Sequence, residues 1–475
     1  MTAGEGRWDA IVVGAGTAGM PVALELAARG GRVLVLEGSS RIGGTLHVSS
    51  GHMSAAGTRL QRARGIDDTP DDHFADVMRI SRGTADPAMV RLATRHAASA
   101  IDWLVDNGFD MGPECPVIAY SHEPYLVPRT YWGRDRGRSI LAVLARLFEP
   151  RVAAGDIALA LSTRLVGLAR EGGDWVAQAE GPAGARRVER ARSVVLATGG
   201  HGANAALFSR VTGGMPLLSP APSTADGSGL EIALGLGGVL RNGDIFLPTL
   251  AGVPDAPGGH WLDWDHKPVL TPQHRAPWEI YVDARGARFV AEDDPSPDAR
   301  ERALKRQPGL AFWIVYDGRM AREAPPLYPT WTPARTDAAF ASHPAFVRAG
   351  SLGELARACG MDGATLARTV AGYNEAVASG RDALGRRHMP APLAEPPFAA
   401  IRHQGVTLRC WAGLAVDDRL AVRRADGSTI DGLHAVGEIL GGATMSGDSF
   451  ASGMSITPAL ALGRLLGREI LPTGG

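Results

Sequence analysis

The run Asp9-Ala-Ile-Val-Val13, Gly14-Ala-Gly-Thr-Ala-Gly19, Met20 to Ala28 and Arg32-Val-Leu-Val-Leu-Glu37 carries the strongest structural signal in this chain. Asp9 to Val13 is a short apolar stretch of the kind that forms a buried parallel strand. A glycine turn follows, then an apolar helical stretch, with Pro21 acceptable in its first turn. Arg32 to Glu37 is a second strand, ending in an acid 23 residues after Gly14. Strand, glycine turn, helix and acid-ended strand make a dinucleotide-binding unit. Gly14, Gly16 and Gly19, with Thr17 and Ala18 between them, let backbone approach a pyrophosphate on the helix N-terminus, where free N–H groups favour an anion. Glu37 is placed to accept hydrogen bonds from an adenosine ribose.

Outward from this unit, Arg192-Ser-Val-Val-Leu-Ala-Thr-Gly-Gly200 reads as another strand. Its small end, Ala197, Thr198 and Gly199, suits backbone passing close to a cofactor. Asp226-Gly227 opens a helix from Ser228 to Leu236, with Thr224 or Asp226 as its cap. Residues 240–395 change character: Trp261, Trp264, Trp278, Trp313 and Trp331 gather there among many prolines. That segment reads as a separate inserted domain. The chain returns near Gly432-Leu-His-Ala-Val-Gly-Glu438 and ends with a helix from about Ser455 to Arg468. The expected organisation is therefore 1–239, 240–395 and 396–475, the outer two forming one α/β domain.

A chain of 475 residues buries enough surface to need no disulfides. With 49 Lys+Arg against 50 Asp+Glu, nothing draws it towards nucleic acid or an anionic membrane. Cys115, Cys359 and Cys410 lie far apart, which points away from zinc or any other metal site. Met1 to Asp9 lacks the pattern of a signal peptide, and no stretch reaches 18 apolar residues, so a cytoplasmic protein is expected. Lys267 and Lys305 are the only lysines. Their rarity reads as a compositional bias towards arginine.

Six separated motifs then carry a resemblance. G-A-G-T-A-G (14–19), E-G-S-S-R-I-G-G-T (37–45), S-S-G-H-M-S-A (49–55), L-A-T-G-G (196–200), T-A-D-G (224–227) and G-L-H-A-V-G-E (432–438) occur in the order found in one family. The chain resembles the flavoprotein subunits of fumarate reductase and succinate dehydrogenase, a family that includes 3-ketosteroid Δ1-dehydrogenases. The resemblance implies a Rossmann-like two-part FAD-binding domain with an inserted α+β capping domain. It implies that Glu37 meets the ribose, with Gly38 and Ser39 beside it at the cofactor, and that Leu165 meets the adenine. Gly43, Gly44, Thr45, Ser50, Gly51, His52 and Met53 would line the isoalloxazine. Asp226 belongs to the fifth motif; Gly437 and Glu438 would face the ribityl chain, and Met454, Ser455 and Ile456 the pyrimidine edge. The family's flavin-linked histidine falls on Thr45, so non-covalent FAD is expected despite His47 and His52.

The same comparison puts the family's catalytic groups in unfamiliar hands. The proton-donating arginine, which follows a strand here at 286–292, falls on Ser296, with Arg300 and Arg302 nearby. A Thr-Glu pair becomes Thr271-Pro272, the substrate histidine becomes Arg409, and a substrate arginine falls near Ser449-Phe450. These losses point away from fumarate reduction. Arg409, a guanidinium able to hold an oxyanion bidentately, and His274, able to exchange protons near neutrality, are the catalytic candidates. The expected reaction is hydride transfer between flavin N5 and a small organic substrate, with desaturation or reduction of a C–C bond next to a carbonyl. Alternatives are an alcohol or amine oxidase and a flavin-binding electron-transfer subunit. The electron acceptor is left open.

Overall fold

The structure is a computed structural model that describes residues 7–120 and 122–470. The opening strand β1 (Trp8–Val13), helix α1 (Gly19–Ala28) and strand β2 (Val33–Leu36) form as the sequence predicts. β1 and β2 pair in parallel, and β3 (Ile157–Ala160) adds to the far side of β2. A meander follows: β4 (Arg164–Glu171), β5 (Asp174–Glu180) and the long β6 (Arg186–Leu196). β6 serves two neighbours. Its first half pairs antiparallel with β5, and its second half, Ala191 to Leu196, runs parallel to β1. Each of the two strands carries four buried residues in a row, Ala10 to Val13 in β1 and Ser193 to Leu196 in β6, as strands covered on both faces do.

The capping domain is built on an antiparallel sheet. Strand β7 (Ile280–Val282) precedes helix α2 (Pro297–Lys305), and β8 (Ala311–Tyr316), β9 (Phe346–Ala349) and β10 (Phe398–Gln404) follow. The sheet order is β7-β8-β10-β9. β10 lies beyond residue 395, so the expected boundary falls one strand too early: Phe398–Gln404 completes the cap sheet. The strand expected at 286–292 is a loop that touches β7 through one bridge, Val282 to Arg288. Its charges explain this. Arg288 and Arg386 both pair with buried Glu292, at 2.6 and 3.1 Å, and those ion pairs hold the loop instead of a ladder.

The chain then returns to the first sheet through β11 (Ala421–Arg423) and β12 (Thr429–Ala435), the latter parallel to β6. The last helix, α3 (Ile456–Glu469), packs on α1 at close range. A Cβ at Gly463 would sit 2.6 Å from the Ala18 carbonyl oxygen, and one at Gly467 2.6 Å from that of Val22. Glycine is what permits this approach. Glu25 on α1 receives Arg464 and Arg468 of α3 at 2.8 and 2.9 Å.

One clamp matters for the site. Arg129, 1% exposed, meets Asp68 at 2.7 Å and Asp76 at 3.3 Å, and Tyr125 donates to the Ser452 carbonyl at 2.6 Å. These contacts fix the irregular segment around residues 122–131 against the FAD-binding domain. Arg129→Ala leaves buried Asp68 without a cation, while Asp76 keeps Arg79 at 2.6 Å, and is expected to cost about 3–5 kcal/mol in a urea unfolding titration. A loss below about 1 kcal/mol, the worth of an exposed pair, would show that the clamp is not structural.

Candidate active site

A cavity of about 510 Å³ runs from the β1–α1 turn to the underside of the cap. At its first end lie Gly14, Gly16, Thr17 and Ala18, then Glu37 and Gly38, with Leu165 beyond. The turn is shaped by two glycines. Gly14 has φ of +106°, and a Cβ there would lie 2.9 Å from the Ala197 carbonyl carbon. A Cβ at Gly19 would lie 2.9 Å from the Gly14 carbonyl carbon. Gly16 lines the cavity, and no protein atom lies within 4 Å of its would-be Cβ. The space left beside it faces the N-terminus of α1, as a pyrophosphate requires. Buried Glu37 braces the turn, accepting the Ala15 N–H at 2.7 Å and the Ser39 N–H at 2.7 Å. Ala197, Thr198 and Gly199 form the opposite wall, where the buried Thr198 hydroxyl has no protein partner. These features fit an FAD laid along the cavity.

The wall continues through Gly44, Thr45, Ser50 and His52, and through Gly437, Glu438, Met454, Ser455 and Ile456 near the start of α3. Six expected residues stand behind it instead. Gly19 packs on the turn, Ser39 hydrogen-bonds Glu37, and Gly43 donates to the Ala15 carbonyl at 2.8 Å. Gly51 lies against the Arg136 backbone, Met53 is wholly buried, and Asp226 pairs with Arg164 and accepts the Ser228 N–H at 3.0 Å. They shape the site without lining it. The resemblance puts Thr45 where the family's flavin-linked histidine falls, and His47 Nε2 is engaged with the Ile42 carbonyl at 2.9 Å. Acid precipitation is therefore expected to release all the flavin into the supernatant. Yellow denatured protein would point to a covalent bond at His47 or His52.

The far end of the cavity is a chamber between the domains, lined by His52, His122, Arg409 and Phe450 from below and by Thr249, Trp264, Lys267 and Leu270 from the cap. Arg409 is 5% exposed. Nη1 donates to the hydroxyls of Ser446 at 3.2 Å and Ser455 at 3.3 Å, and Nη2 donates to the Ser449 carbonyl at 2.8 Å. Its plane is flanked by Trp411 and Phe450, at 4.4 and 4.1 Å from the ring centres. Nε is buried without a partner, and among the described residues no carboxylate forms an ion pair with this guanidinium. Burial brings its pKa down to about 10 against the pull of Glu438, Asp298 and Glu301.

Two further groups were not found by sequence reasoning. His122 stacks on Phe450 at 3.7 Å, and its Nδ1 is buried and unpartnered. Burial holds it well below the usual histidine range, with His52, Arg409 and Lys267 each pushing the same way. Lys267 lies over the Trp264 ring at 4.8 Å, and burial and Arg136 lower its pKa. The chamber therefore gathers two cations and two imidazoles, His52 and His122, whose pKa values burial lowers, with no paired acid. His274 is not among them. It is exposed, its N–H bonded to the Thr271 carbonyl at 2.9 Å, because Arg275 beside it turns inward to Glu279 at 2.8 Å. The expectation of a catalytic role for His274 is corrected accordingly. Ser296 caps α2, accepting the Ala299 N–H at 3.0 Å and donating to Glu123.

With this geometry in view, the chain matches a known family described as an FAD binding domain over residues 9–451. It belongs to that family and is an FAD-dependent oxidoreductase. Fumarate reductase (cytochrome) of Shewanella frigidimarina is 27% identical over 473 residues, covering 97% of this chain and 76% of the relative. The open conformation of a flavocytochrome c3 fumarate reductase superposes with a TM-score of 0.74 at 26% identity, over 98% of this chain and 78% of that one. The 3-ketosteroid Δ1-dehydrogenase of Sterolibacterium denitrificans gives 0.76 at 19% identity, over 98% and 99%, which speaks for the fold. The expectation that this chain is not a fumarate reductase is overturned. Relatives named as fumarate reductases match almost its whole length. Among the described residues no helix is long and apolar enough to cross a membrane.

Proposed function

We propose that this FAD-dependent enzyme, which acts on CH–CH groups, reduces the C=C bond of an α,β-unsaturated carboxylate, fumarate being one such acid. The observation that carries this reading is Arg409: a buried guanidinium facing the chamber without a carboxylate partner, in the same space as Lys267. A buried, unpaired charge is costly, and an anionic substrate removes that cost. Bound FAD supplies the hydride. Arg409 holds a carboxylate oxygen and stabilises the negative charge that builds there as the double bond is consumed, a role in which a preorganised donor is worth several kcal/mol. Lys267 supplies charge from the cap side, so the substrate itself ties the two domains together. Phe450 and Trp264 exclude water from between them.

The test is anaerobic. Photoreduced holoenzyme is mixed with fumarate, urocanate and other unsaturated carboxylates, and the return of oxidised flavin absorbance is followed. Reoxidation by one or more of them, with formation of the saturated acid, is expected. Flavin that stays bleached with every carboxylate would refute the reading.

A further inference from the structure

On helix α2, Asp298, Glu301, Arg302 and Lys305 lie on one face by helical spacing. Glu301 is 4% exposed and forms no ion pair among the described residues. Its carboxyl is hydrogen-bonded by the side chain of Thr249, which lines the chamber. One turn back, Asp298 is 6% exposed, and its Oδ1 is buried with no partner. Its Oδ2 accepts the Ser449 hydroxyl and Arg302 Nη2, the latter at 3.3 Å. Arg302 Nη1 continues to Asp448 at 2.7 Å, and Asp448, with its side chain 25% exposed, meets exposed Arg82 at 2.9 Å. Thr249 and Glu301 thus lie on the chamber side, and Asp298, one turn back on the same helix face, is joined to the surface through Ser449, Arg302 and Asp448.

We propose that Glu301 stores the proton consumed in the reaction and delivers it through the Thr249 hydroxyl, and that Asp298 refills it from the surface at Asp448. The inference rests on the substrate reading above. In the step itself, the Glu301 O–H bond breaks while Thr249 accepts that proton and gives its own to the substrate carbon. One C–H bond forms on the electron pair left at that carbon, and Glu301 becomes a carboxylate. A proton from water then restores it. The electrostatics suit a store. Burial, then Asp298, push Glu301 up to about 8 against Arg300 and Arg409. Burial and Glu123 raise Asp298 to about 6, opposed by Ser449 and Arg302. Glu301 is therefore protonated near neutrality, and delivery fails as pH rises through about 8, where the carboxyl ionises.

The experiment compares wild-type holoenzyme with Glu301→Gln and Asp298→Asn. In infrared titration the wild type should show a protonated-carboxyl band lost with a midpoint near 8, and Glu301→Gln should lack that band. The same titration in both proteins would overturn the assignment, as would its absence from the wild type. In rapid mixing of photoreduced enzyme with fumarate, Glu301→Gln should reoxidise about 100-fold more slowly and lose the alkaline limb. Reoxidation within about threefold of wild type with an unchanged pH profile would overturn the proposal. Asp298→Asn should keep the first turnover and slow those that follow; equal slowing of both would overturn the refilling step. Failure of wild type to be reoxidised by any carboxylate would refute the substrate reading instead, and the infrared band would still decide where the proton is held.

Discussion

Replacing Arg409 with glutamine is expected to lower kcat/KM for an unsaturated carboxylate by about two to three orders of magnitude while FAD stays bound. Removing one partner of a buried charged contact typically costs about 2–5 kcal/mol, and here the lost guanidinium also meets the charge that grows during the reaction. Arg409→Lys should recover little. A point charge cannot span Ser446, Ser455 and the Ser449 carbonyl as the fork does. A Cβ at Gly442 would lie 2.5 Å from Arg409 Cδ, so the side chain is already confined to one path. Lys267→Met should act on the same substrate from the cap side and raise KM more than it lowers kcat, since Lys267 supplies binding charge rather than holding the reacting group. Steady-state kinetics with the flavin content measured in each variant check this. A glutamine variant with wild-type kcat/KM and full flavin would remove Arg409 from the mechanism.

Gly14→Ala should yield protein without flavin, and Gly16→Ala should separate folding from binding. At Gly14 the backbone is left-handed, and a methyl group would collide with the end of β6 at Ala197. The turn between β1 and α1 must then open, and both the sheet and the cofactor cradle lose their register. At Gly16 the methyl group meets no protein atom, so the fold should survive with a normal unfolding midpoint. It would project into the space left for the pyrophosphate and weaken FAD alone. The ratio of flavin to protein absorbance, together with thermal melting, distinguishes the two. Full flavin occupancy in Gly14→Ala would mean that the turn is not the one described.

The first βαβ unit was legible because its information is local. Apolar runs, a glycine turn and the acid at Glu37 lie within one short segment, and each requirement shows as a residue type. Arg409 was legible through its motif. The rest of the chamber was not, because its residues meet only in space. Lys267 stands in a proline-rich segment with no periodicity, and in a chain so poor in lysine it read as composition. His122 stands in an irregular segment and is placed against Phe450, a contact that no spacing announces. The exclusion of fumarate asked only whether each charged position was kept along the sequence, and so took no account of Lys267, a cation of the chamber that lies far from those motifs. The 286–292 stretch had a strand's composition, and its ion pairs with Arg386 pulled it into a loop.

The central claim is that a carboxylate, held by Arg409 and Lys267, is what this flavoenzyme recognises. The most direct test follows the flavin of photoreduced holoenzyme after mixing with an unsaturated carboxylate that it turns over, and then with the methyl ester of the same acid. Both carry the same double bond, and the carbonyl of the ester still activates it. The carboxylate should reoxidise the flavin at least about 100-fold faster at equal concentration, as expected for one charged contact at a buried site. Equal rates, or a faster reaction with the ester, would contradict the account.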